Sequence, residues 1–329
     1  MGAFLGIDIG GTNVKAALLS QGGSVLALLT RSWSGGSPRD AVAAAAALSE
    51  ELLGSRPDDP PEACGAGVAG LVDVSQGVVR LSPNLHEWTD VELRAMLASA
   101  LHLPVTLEND ANAAAYGEFR IGAARGARNA VMLTLGTGVG GGIIVDGRLY
   151  RGRSFAGEIG HMTIERNGRP CPCGNRGCLE RYANAEALVE RAAHLLDEGR
   201  RSSLARVRAA GTMTAHDVGD AAVAGDELAC EAVAETGRAL GVGLASLSVL
   251  LDPEMIVLGG GVASAGRVLF DAAREEIAGH GPGVVRQVVA QPQLDRVGRA
   301  QAAGRRLHAS AGKVRRAVDD PRSAKAGRG

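Results

Sequence analysis

The chain has 329 residues, of which 46% are hydrophobic, and its 35 basic and 36 acidic side chains give a formal net charge of -1 at pH 7. This length suits two packed α/β lobes better than one small core. The near-zero charge provides no basic footprint for nucleic acid and no attraction to an anionic membrane, so we expect a small-molecule partner.

The sequence predicts neither export nor membrane insertion. Its N-terminus has no charged leader, and Gly6 stands where a myristoylation signal needs Ser or Thr. The most apolar later stretch, Ala239 to Leu251, is shorter than the roughly 20 residues that span a bilayer, and it predicts a buried helix. We therefore expect a cytoplasmic protein.

The first part of the chain predicts the order βββαβ. FLGIDI, NVKAALLS and SVLALLTRSW are three apolar strands separated by glycine turns. An alanine-rich helix is predicted from about Pro38 to Leu53, and the β-run GAGVAGLVD follows it. Further on, a strand from Val105 to Glu108 leads directly into a helix that begins near Asp110.

A second unit of the same plan is predicted from near Ala130. The strand AVMLTL, the turn GTGVGG and the strand GIIVDGRLY repeat the opening pattern after about 125 residues. Helices are predicted from Asn184 to Glu198, after the capping signal at Thr214 to Asp217, and from about Glu227 to Leu251, with a strand from Met255 to Gly261. Beyond Gly304, charged and small residues predict disorder over roughly the last 20 residues.

Two glycine-rich hairpins are the candidate phosphate-binding elements. The second satisfies G-x-G-x-x-G, but a Rossmann turn opens a helix, and here a β-branched run follows. Neither hairpin ends in the Gly-Lys-Ser or Gly-Lys-Thr of a Walker A loop. We interpret Gly6 to Asn13 and Leu133 to Gly142 as hairpins whose N–H groups hold one nucleotide between two lobes, with ordinary tight turns as the alternative.

Three polar residues accompany the first hairpin. Asp8 interrupts an apolar strand, where a carboxylate is costly unless it meets a cation or hydrogen-bond donors. Facing phosphates, it would hold Mg²⁺ directly or through water. Thr12 adds a hydroxyl beside the turn. Lys15 either reaches phosphate or is a solvated strand residue, and both interpretations stay open.

Asn109 and Asp110 lie at the junction of a predicted strand and helix. The ordinary role of such a pair is to cap the helix. Because a helix N-terminus stabilises negative charge, Asp110 would stay ionised at neutral pH and could accept a proton from a substrate hydroxyl. Asp110 is the predicted general base.

Asn84, Glu158, His161 and Glu180 are residue types that bind polyols, since paired donors and acceptors suit vicinal hydroxyls. For each one, ordinary loop polarity is the alternative. Glu158 and His161 are favoured because their loop leads into a cysteine cluster.

One imidazole and three thiols lie in a single short segment, at His161, Cys171, Cys173 and Cys178. They predict a Cys₃His zinc site, with unrelated reduced thiols as the alternative. Four protein ligands fill a tetrahedral shell and leave no position for a catalytic water, so the predicted zinc is structural.

Together these motifs resemble the ROK family of repressors, unassigned reading frames and kinases. The resemblance runs from about Phe4 to Val262 and rests on GIDIGGTNVK, VAGLVD, SPNL, ENDANAAAYGE, LGTGVGGGI, GEIGH, CPCGNRGCLE and VLGGGV. It implies an α/β, two-lobed actin/hexokinase-like (ribonuclease H-like) fold with duplicated βββαβα units. We expect a smaller lobe at 1–115, with a helix near 295–310 returning to it, a larger lobe with the zinc loop at 116–294, and a disordered tail at 311–329.

The resemblance also implies an ATP-dependent hexose kinase that acts on the 6-hydroxyl, with glucose favoured and N-acetylglucosamine or N-acetylmannosamine as alternatives. The implied cofactors are ATP, Mg²⁺ and one structural Zn²⁺, and a homodimer or homotetramer is expected. A sugar-sensing transcriptional regulator is the remote alternative, because such proteins carry a DNA-binding module before the sugar fold and the first hairpin here begins at Gly6.

The implied ligand contacts fall into two groups. ATP would be bound by Asp8, Gly10, Gly11, Thr12, Asn13, Lys15, Gly136, Thr137, Gly138, Gly259, Gly260 and Gly261. The sugar would be bound by Asn84, Asn109, Asp110, Glu158, His161 and Glu180. Two departures from the family pattern are Arg181, where a smaller residue is common, and the arginine-rich segment from Leu294 to Ala300.

Overall fold

The structure is a computed structural model that describes residues 2–33, 35–56, 58–82, 85, 88–279 and 287–290. These residues form two compact units, the first ending at Ile121 and the second beginning at Gly122. Asn84, the predicted helix near 295–310 and the predicted tail at 311–329 lie outside the described residues. The predicted lobe limits of 1–115 and 116–294 stay a prediction.

The first unit has eight strands and three helices among its described residues. They are β1 (Ala3–Ile9), β2 (Asn13–Ser20), β3 (Val25–Ser32), α1 (Pro38–Ser55), β4 (Pro61–Val68), β5 (Leu71–Asp73), β6 (Val78–Leu81), β7 (Thr89–Val91), α2 (Leu93–Leu101), β8 (Val105–Asn109) and α3 (Asp110–Ile121). The main sheet has the order β3-β2-β1-β4-β8, and β5, β6 and β7 form a small second sheet. In the main sheet β1 is antiparallel to β2 and parallel to β4.

Local sequence explains the start of α1. The Ser37 hydroxyl accepts from the Asp40 N–H, and the Asp40 carboxylate accepts from the Ser37 N–H, so the two residues form a capping box. Pro38 occupies the first helical position, where its missing N–H costs nothing. The predicted helix from Pro38 to Leu53 is confirmed and extends to Ser55.

The second unit repeats this plan. Its elements are β9 (Ala130–Leu135), β10 (Val139–Val145), β11 (Arg148–Tyr150), α4 (Glu180–Ala183), α5 (Ala185–Asp197), α6 (Leu204–Ala209), α7 (Ala215–Val223), α8 (Glu227–Leu251), β12 (Met255–Gly259), α9 (Arg267–Gly279) and β13 (Val288–Ala290). Its sheet has the order β11-β10-β9-β12-β13, with β9 antiparallel to β10 and parallel to β12. Each strand of this sheet has a counterpart at the same position and in the same direction in the main sheet of the first unit. The predicted duplication is therefore confirmed.

Three predicted strands differ from the structure, and the first of them, GAGVAGLVD, is divided between β4 and β5. GIIVDGRLY does not form a single strand, because Asp146 and Gly147 both have positive φ, at 49° and 73°, and turn the chain into the β10–β11 hairpin. An Asp-Gly pair between two apolar runs is a hairpin signal, since both turn residues need positive φ. The predicted strand from Met255 to Gly261 likewise ends early, at Gly259.

The longest described helix, α8, passes the length and composition test for a membrane span. A buried core helix passes the same test, and Leu240, Leu244 and Leu247 of α8 are at most 3% exposed within the core of the second unit. Gly237 lets α8 approach α9 closely, because a Cβ there would lie 2.6 Å from the Leu269 carbonyl. The predicted buried helix is therefore confirmed for the face of α8 that packs on the core.

Candidate active site

The first predicted phosphate hairpin joins β1 to β2 through Gly10, Gly11 and Thr12. Two of its carbonyls are held by one residue: the Trp33 indole Nε1 donates to the Gly10 oxygen at 2.8 Å, and the Trp33 backbone N–H donates to the Thr12 oxygen at 3.0 Å. Because C=O and N–H of a trans peptide unit point in opposite directions, fixing the Gly10 carbonyl turns the Gly11 N–H away from Trp33.

Asp8 and Lys15 face each other across the β1–β2 ladder, and Lys15 Nζ lies 2.6 Å from Asp8 Oδ2. The neighbours of Asp8, Ile7 and Ile9, are fully buried. Lys15 is therefore an ion-pair partner of Asp8 rather than an isolated solvated side chain, and its contact with phosphate stays a prediction. Asp8 still fits Mg²⁺ by its chemistry, since this ion commonly takes one or two carboxylates together with phosphate oxygens.

The predicted base lies in the first turn of α3. Asn109 Oδ1 accepts from the Asn112 N–H at 3.0 Å, so Asn109 is the residue that caps the helix. Its Nδ2 donates to the Gly70 carbonyl and to Asp110 Oδ1, both at 3.1 Å. Asp110 Oδ1 also accepts from the Ala111 N–H at 2.9 Å. These donors and the helix N-terminus all favour a negative charge on Asp110.

Glu108 is a polar residue of this junction that the sequence analysis missed. It is 2% exposed, and its Oε1 accepts from the Asn109 N–H at 3.1 Å and from Asn112 Nδ2 at 3.3 Å. Glu108 therefore helps to hold the backbone that presents Asp110. The signal that identified Asp8, a carboxylate in an apolar strand, applied equally to Glu108.

The second predicted phosphate hairpin joins β9 to β10 through Gly136, Thr137 and Gly138. Glu180 accepts from the Val139 N–H through Oε2 at 2.9 Å, so this predicted sugar ligand also binds the base of the hairpin. A Cβ at Gly138 would lie 2.6 Å from the same oxygen, so a larger residue there would displace the Glu180 carboxylate.

The third predicted ATP-binding segment, Gly259 to Gly261, lies beside the second hairpin. Gly259 pairs with Thr134 at the end of the β9–β12 ladder. Gly260 has φ of 91°, and a Cβ there would lie 2.3 Å from the Leu135 carbonyl. Only glycine fits this close approach, which brings the segment against the residue that precedes the hairpin.

The three predicted sugar residues of the second unit come together. Gly160, between Glu158 and His161, packs so tightly on β10 that a Cβ would lie 2.1 Å from the Val139 carbonyl. Burial raises the pKa of Glu158, the neighbouring His161 opposes that rise, and the carboxylate of Glu180 adds to it. Glu158, His161 and Glu180 therefore lie close enough for the charges of His161 and Glu180 to act on Glu158.

The predicted metal ligands form one cluster: the ligand atoms of His161, Cys171, Cys173 and Cys178 all lie within 4.8 Å of one another. Cys171 Sγ is 3.8 Å from His161 Nδ1, and Cys173 Sγ is 3.7 Å from Cys178 Sγ. A tetrahedral zinc ion with bonds of about 2.0–2.3 Å separates its ligands by about 3.5–3.8 Å. The residues present therefore fit a Cys₃His zinc ion in donor type, and the separations of 3.8 and 3.7 Å match its spacing.

The thiols of this cluster differ in their acidity. Burial raises the pKa of Cys171, and it raises that of Cys178 to about 12. The Asn175 backbone N–H lowers the pKa of Cys173. Two of the three thiols thus resist ionisation by themselves, and a bound cation would favour their thiolate forms.

The profile of the ROK family matches residues 4–302. The chain belongs to the ROK family. A curated glucokinase of Halalkalibacterium halodurans is 38% identical to this ROK protein over 279 residues, covering 83% of this chain and 84% of that one. A solved ROK family glucokinase from Streptomyces griseus, in complex with glucose and AMPPNP, has a TM-score of 0.79 and 34% identity, covering 92% of this chain and 98% of that one.

A solved ROK family transcriptional regulator, a homologue of the MLC protein of E. coli, has a TM-score of 0.83 and 29% identity, covering 92% of this chain and 77% of that one. With the ROK kinases among its structural neighbours, this ROK protein has the two-lobed, actin/hexokinase-like α/β fold that its motifs predicted. The predicted site residues divide between the units: the first contains Asp8 to Lys15, Asn109 and Asp110, and the second contains the remaining described ones.

Proposed function

We propose that this ROK protein transfers the γ-phosphoryl group of ATP to the 6-hydroxyl of a hexose, and that glucose is the preferred hexose. Its similarity to curated and solved glucokinases supports an ATP-dependent sugar kinase. The observation that carries the proposal is Asp110, a carboxylate in the first turn of α3 whose oxygen accepts from Ala111 and Asn109. N-acetylglucosamine and N-acetylmannosamine are the alternative acceptors.

In the proposed reaction Asp110 accepts the proton of the sugar 6-hydroxyl. The resulting oxygen attacks the γ-phosphorus in line, a new O–P bond forms, and the bond to the bridging oxygen of ADP breaks. The N–H groups of the two glycine hairpins bind phosphate oxygens as charge shifts toward ADP. Asn84, Asn109, Glu158, His161 and Glu180 bind the remaining sugar hydroxyls and orient the 6-hydroxyl toward Asp110.

Two metals belong to this proposal. Asp8 would hold Mg²⁺, which neutralises phosphate charge when it is bound, while Lys15 stays beside Asp8 as its counter-ion. His161, Cys171, Cys173 and Cys178 would hold one structural Zn²⁺, which supplies no reacting group and fixes the loop that carries the sugar ligands.

We place the protein in the cytoplasm, a reducing compartment that would keep the clustered thiols of Cys171, Cys173 and Cys178 available to a metal. No nucleic acid or membrane has a part in the proposed reaction. The expected homodimer or homotetramer remains a prediction.

A sugar-sensing transcriptional regulator is the second candidate, and the structural similarity to a ROK regulator favours it. Enzymatic turnover separates the two functions. We expect the protein to phosphorylate glucose in an assay coupled to ADP formation, with a higher kcat/KM for glucose than for N-acetylglucosamine, N-acetylmannosamine, mannose, fructose or allose. A preferred N-acetylated hexose would overturn the glucose assignment alone, whereas sugar binding without phosphorylation of any of these hexoses would favour the regulator.

A further inference from the structure

The second phosphate hairpin is bonded from one side by the segment that joins α4 to α5. Asn184 Nδ2 donates to the Thr137 carbonyl at 3.0 Å, and the Ala185 backbone N–H donates to the Gly136 carbonyl at 2.8 Å. Two successive carbonyls of the hairpin are therefore turned toward the same segment.

These two hydrogen bonds determine the direction in which the N–H groups of the hairpin point. In a trans peptide unit the C=O and the following N–H point in opposite directions. With the carbonyls of Gly136 and Thr137 turned toward Asn184 and Ala185, the N–H groups of Thr137 and Gly138 point to the other side. Over the described part of the chain these two N–H groups donate to no protein acceptor, and Thr137 is exposed. Adjacent N–H groups of a turn that have no protein acceptor are the donors with which backbone segments bind anions.

We propose that Asn184 is a positioning residue for the nucleotide phosphates: its side-chain amide orients the Thr137–Gly138 peptide so that the Gly138 N–H faces the phosphate. The proposal rests on the proposed function, because it takes the nucleotide as the ligand of this hairpin. Asn184 itself lies on the opposite side of the peptide and touches no phosphate.

The side chain of Asn184 is held at both ends. It is 4% exposed, and its Oδ1 accepts from the Ala187 N–H at 2.8 Å and thereby caps α5. Because the amide oxygen is bound to the start of α5, the orientation of the amide group is fixed. Its nitrogen lies on the side of Thr137. Asparagine suits this position because one end of its amide accepts and the other donates.

The two roles of Asn184 can be separated by substitution. Asn184→Asp keeps the cap, since a carboxylate oxygen also accepts from Ala187, but it replaces the donor to Thr137 by an acceptor. Asn184→Ser keeps a capping hydroxyl and removes the amide donor without adding charge, and it serves if the Asp variant does not fold. As a control, Thr214→Ala removes the N-cap of α7, at a residue that bonds within its own capping box.

The test is calorimetric titration of the purified full chain with the ATP analogue AMPPNP and with glucose. We expect the Kd for AMPPNP to rise about 10-fold or more in Asn184→Asp and about 3-fold or more in Asn184→Ser. The Kd for glucose should stay within about 2-fold of wild type in both variants. Thr214→Ala should lower the Tm and leave both Kd values unchanged, which shows that lost stability alone does not weaken nucleotide binding.

Two results would overturn the proposal, and they differ. If wild type binds AMPPNP and both folded Asn184 variants bind it equally well, Asn184 is only a helix cap and the proposed kinase function is untouched. If wild type binds no AMPPNP, the proposed function fails and this inference fails with it.

Discussion

Trp33 donates an indole hydrogen bond of 2.8 Å to the carbonyl of Gly10 in the first predicted phosphate hairpin. In the second unit, the Asn184 amide bonds Thr137 in the corresponding hairpin at 3.0 Å. Each of the two duplicated hairpins therefore has a carbonyl that accepts from a side chain. The donor is Trp33, which follows β3, in the first hairpin and Asn184, which follows α4, in the second. In both, a side-chain donor fixes a carbonyl and leaves the next N–H on the opposite side of the peptide.

Replacing Trp33 by Phe should weaken nucleotide binding. The substitution keeps an aromatic ring in edge contact with Trp88, whose ring centroid lies 6.3 Å away, and removes the donor to Gly10. We expect the Kd for AMPPNP to rise about 3- to 10-fold, the loss of one hydrogen bond, with the Kd for glucose unchanged. Calorimetric titration measures both constants.

Thr214→Ala is the control, because it removes one side-chain hydrogen bond at the N-cap of α7, outside both hairpins. This variant should lower the Tm and leave the Kd for AMPPNP near that of wild type. Equal AMPPNP affinity in wild type and Trp33→Phe would show that Trp33 has no part in positioning the hairpin.

Two glycines of the second hairpin should respond differently to alanine. At Gly138 a Cβ would lie 2.6 Å from Glu180 Oε2, whereas at Gly136 it would meet no protein atom within 4 Å. We expect Gly138→Ala to weaken glucose binding, since the carboxylate of Glu180, a predicted sugar ligand, must move to make room for the methyl group.

Gly136→Ala should leave the free energy of unfolding within about 1 kcal/mol of wild type and the Kd for glucose unchanged. Urea unfolding and calorimetric titration with glucose provide these values. The explanation would be wrong if both variants lost the same glucose affinity.

Zinc removal should affect both substrates. The predicted zinc ligand Cys178 precedes Glu180 by two positions, and Glu180 accepts a hydrogen bond from the Val139 N–H of the second hairpin. We expect metal analysis to find about one zinc per chain, lost in Cys173→Ser, together with a lower Tm and higher Kd values for glucose and AMPPNP. Cys230→Ser, at a thiol outside the cluster, is the control and should retain the metal. A zinc-free wild-type protein that binds both ligands normally would contradict this prediction.

Motifs whose chemistry is local could be predicted from the sequence. The Cys₃His cluster, the two hairpins and the position of Asp110 each depend on a few neighbouring residues. The β10–β11 turn was missed although the Asp146-Gly147 pair is a local signal. Trp33 and Asn184 carried no such signal: a tryptophan after an apolar strand suggests core, and an asparagine before a helix suggests a cap. Their bonds to the hairpins arise only when segments distant in sequence pack together.

The turnover of Asp110→Asn tests the central claim, that Asp110 is the base of a sugar kinase. Asparagine keeps an oxygen that can accept from the Ala111 N–H, so the first turn of α3 should fold as in wild type. We predict that kcat for glucose falls about 10²-fold or more while the Kd for glucose stays within a few-fold, because proton acceptance is lost and binding is kept. A variant with near-normal kcat and an unchanged Kd would contradict the assignment of Asp110 as the general base.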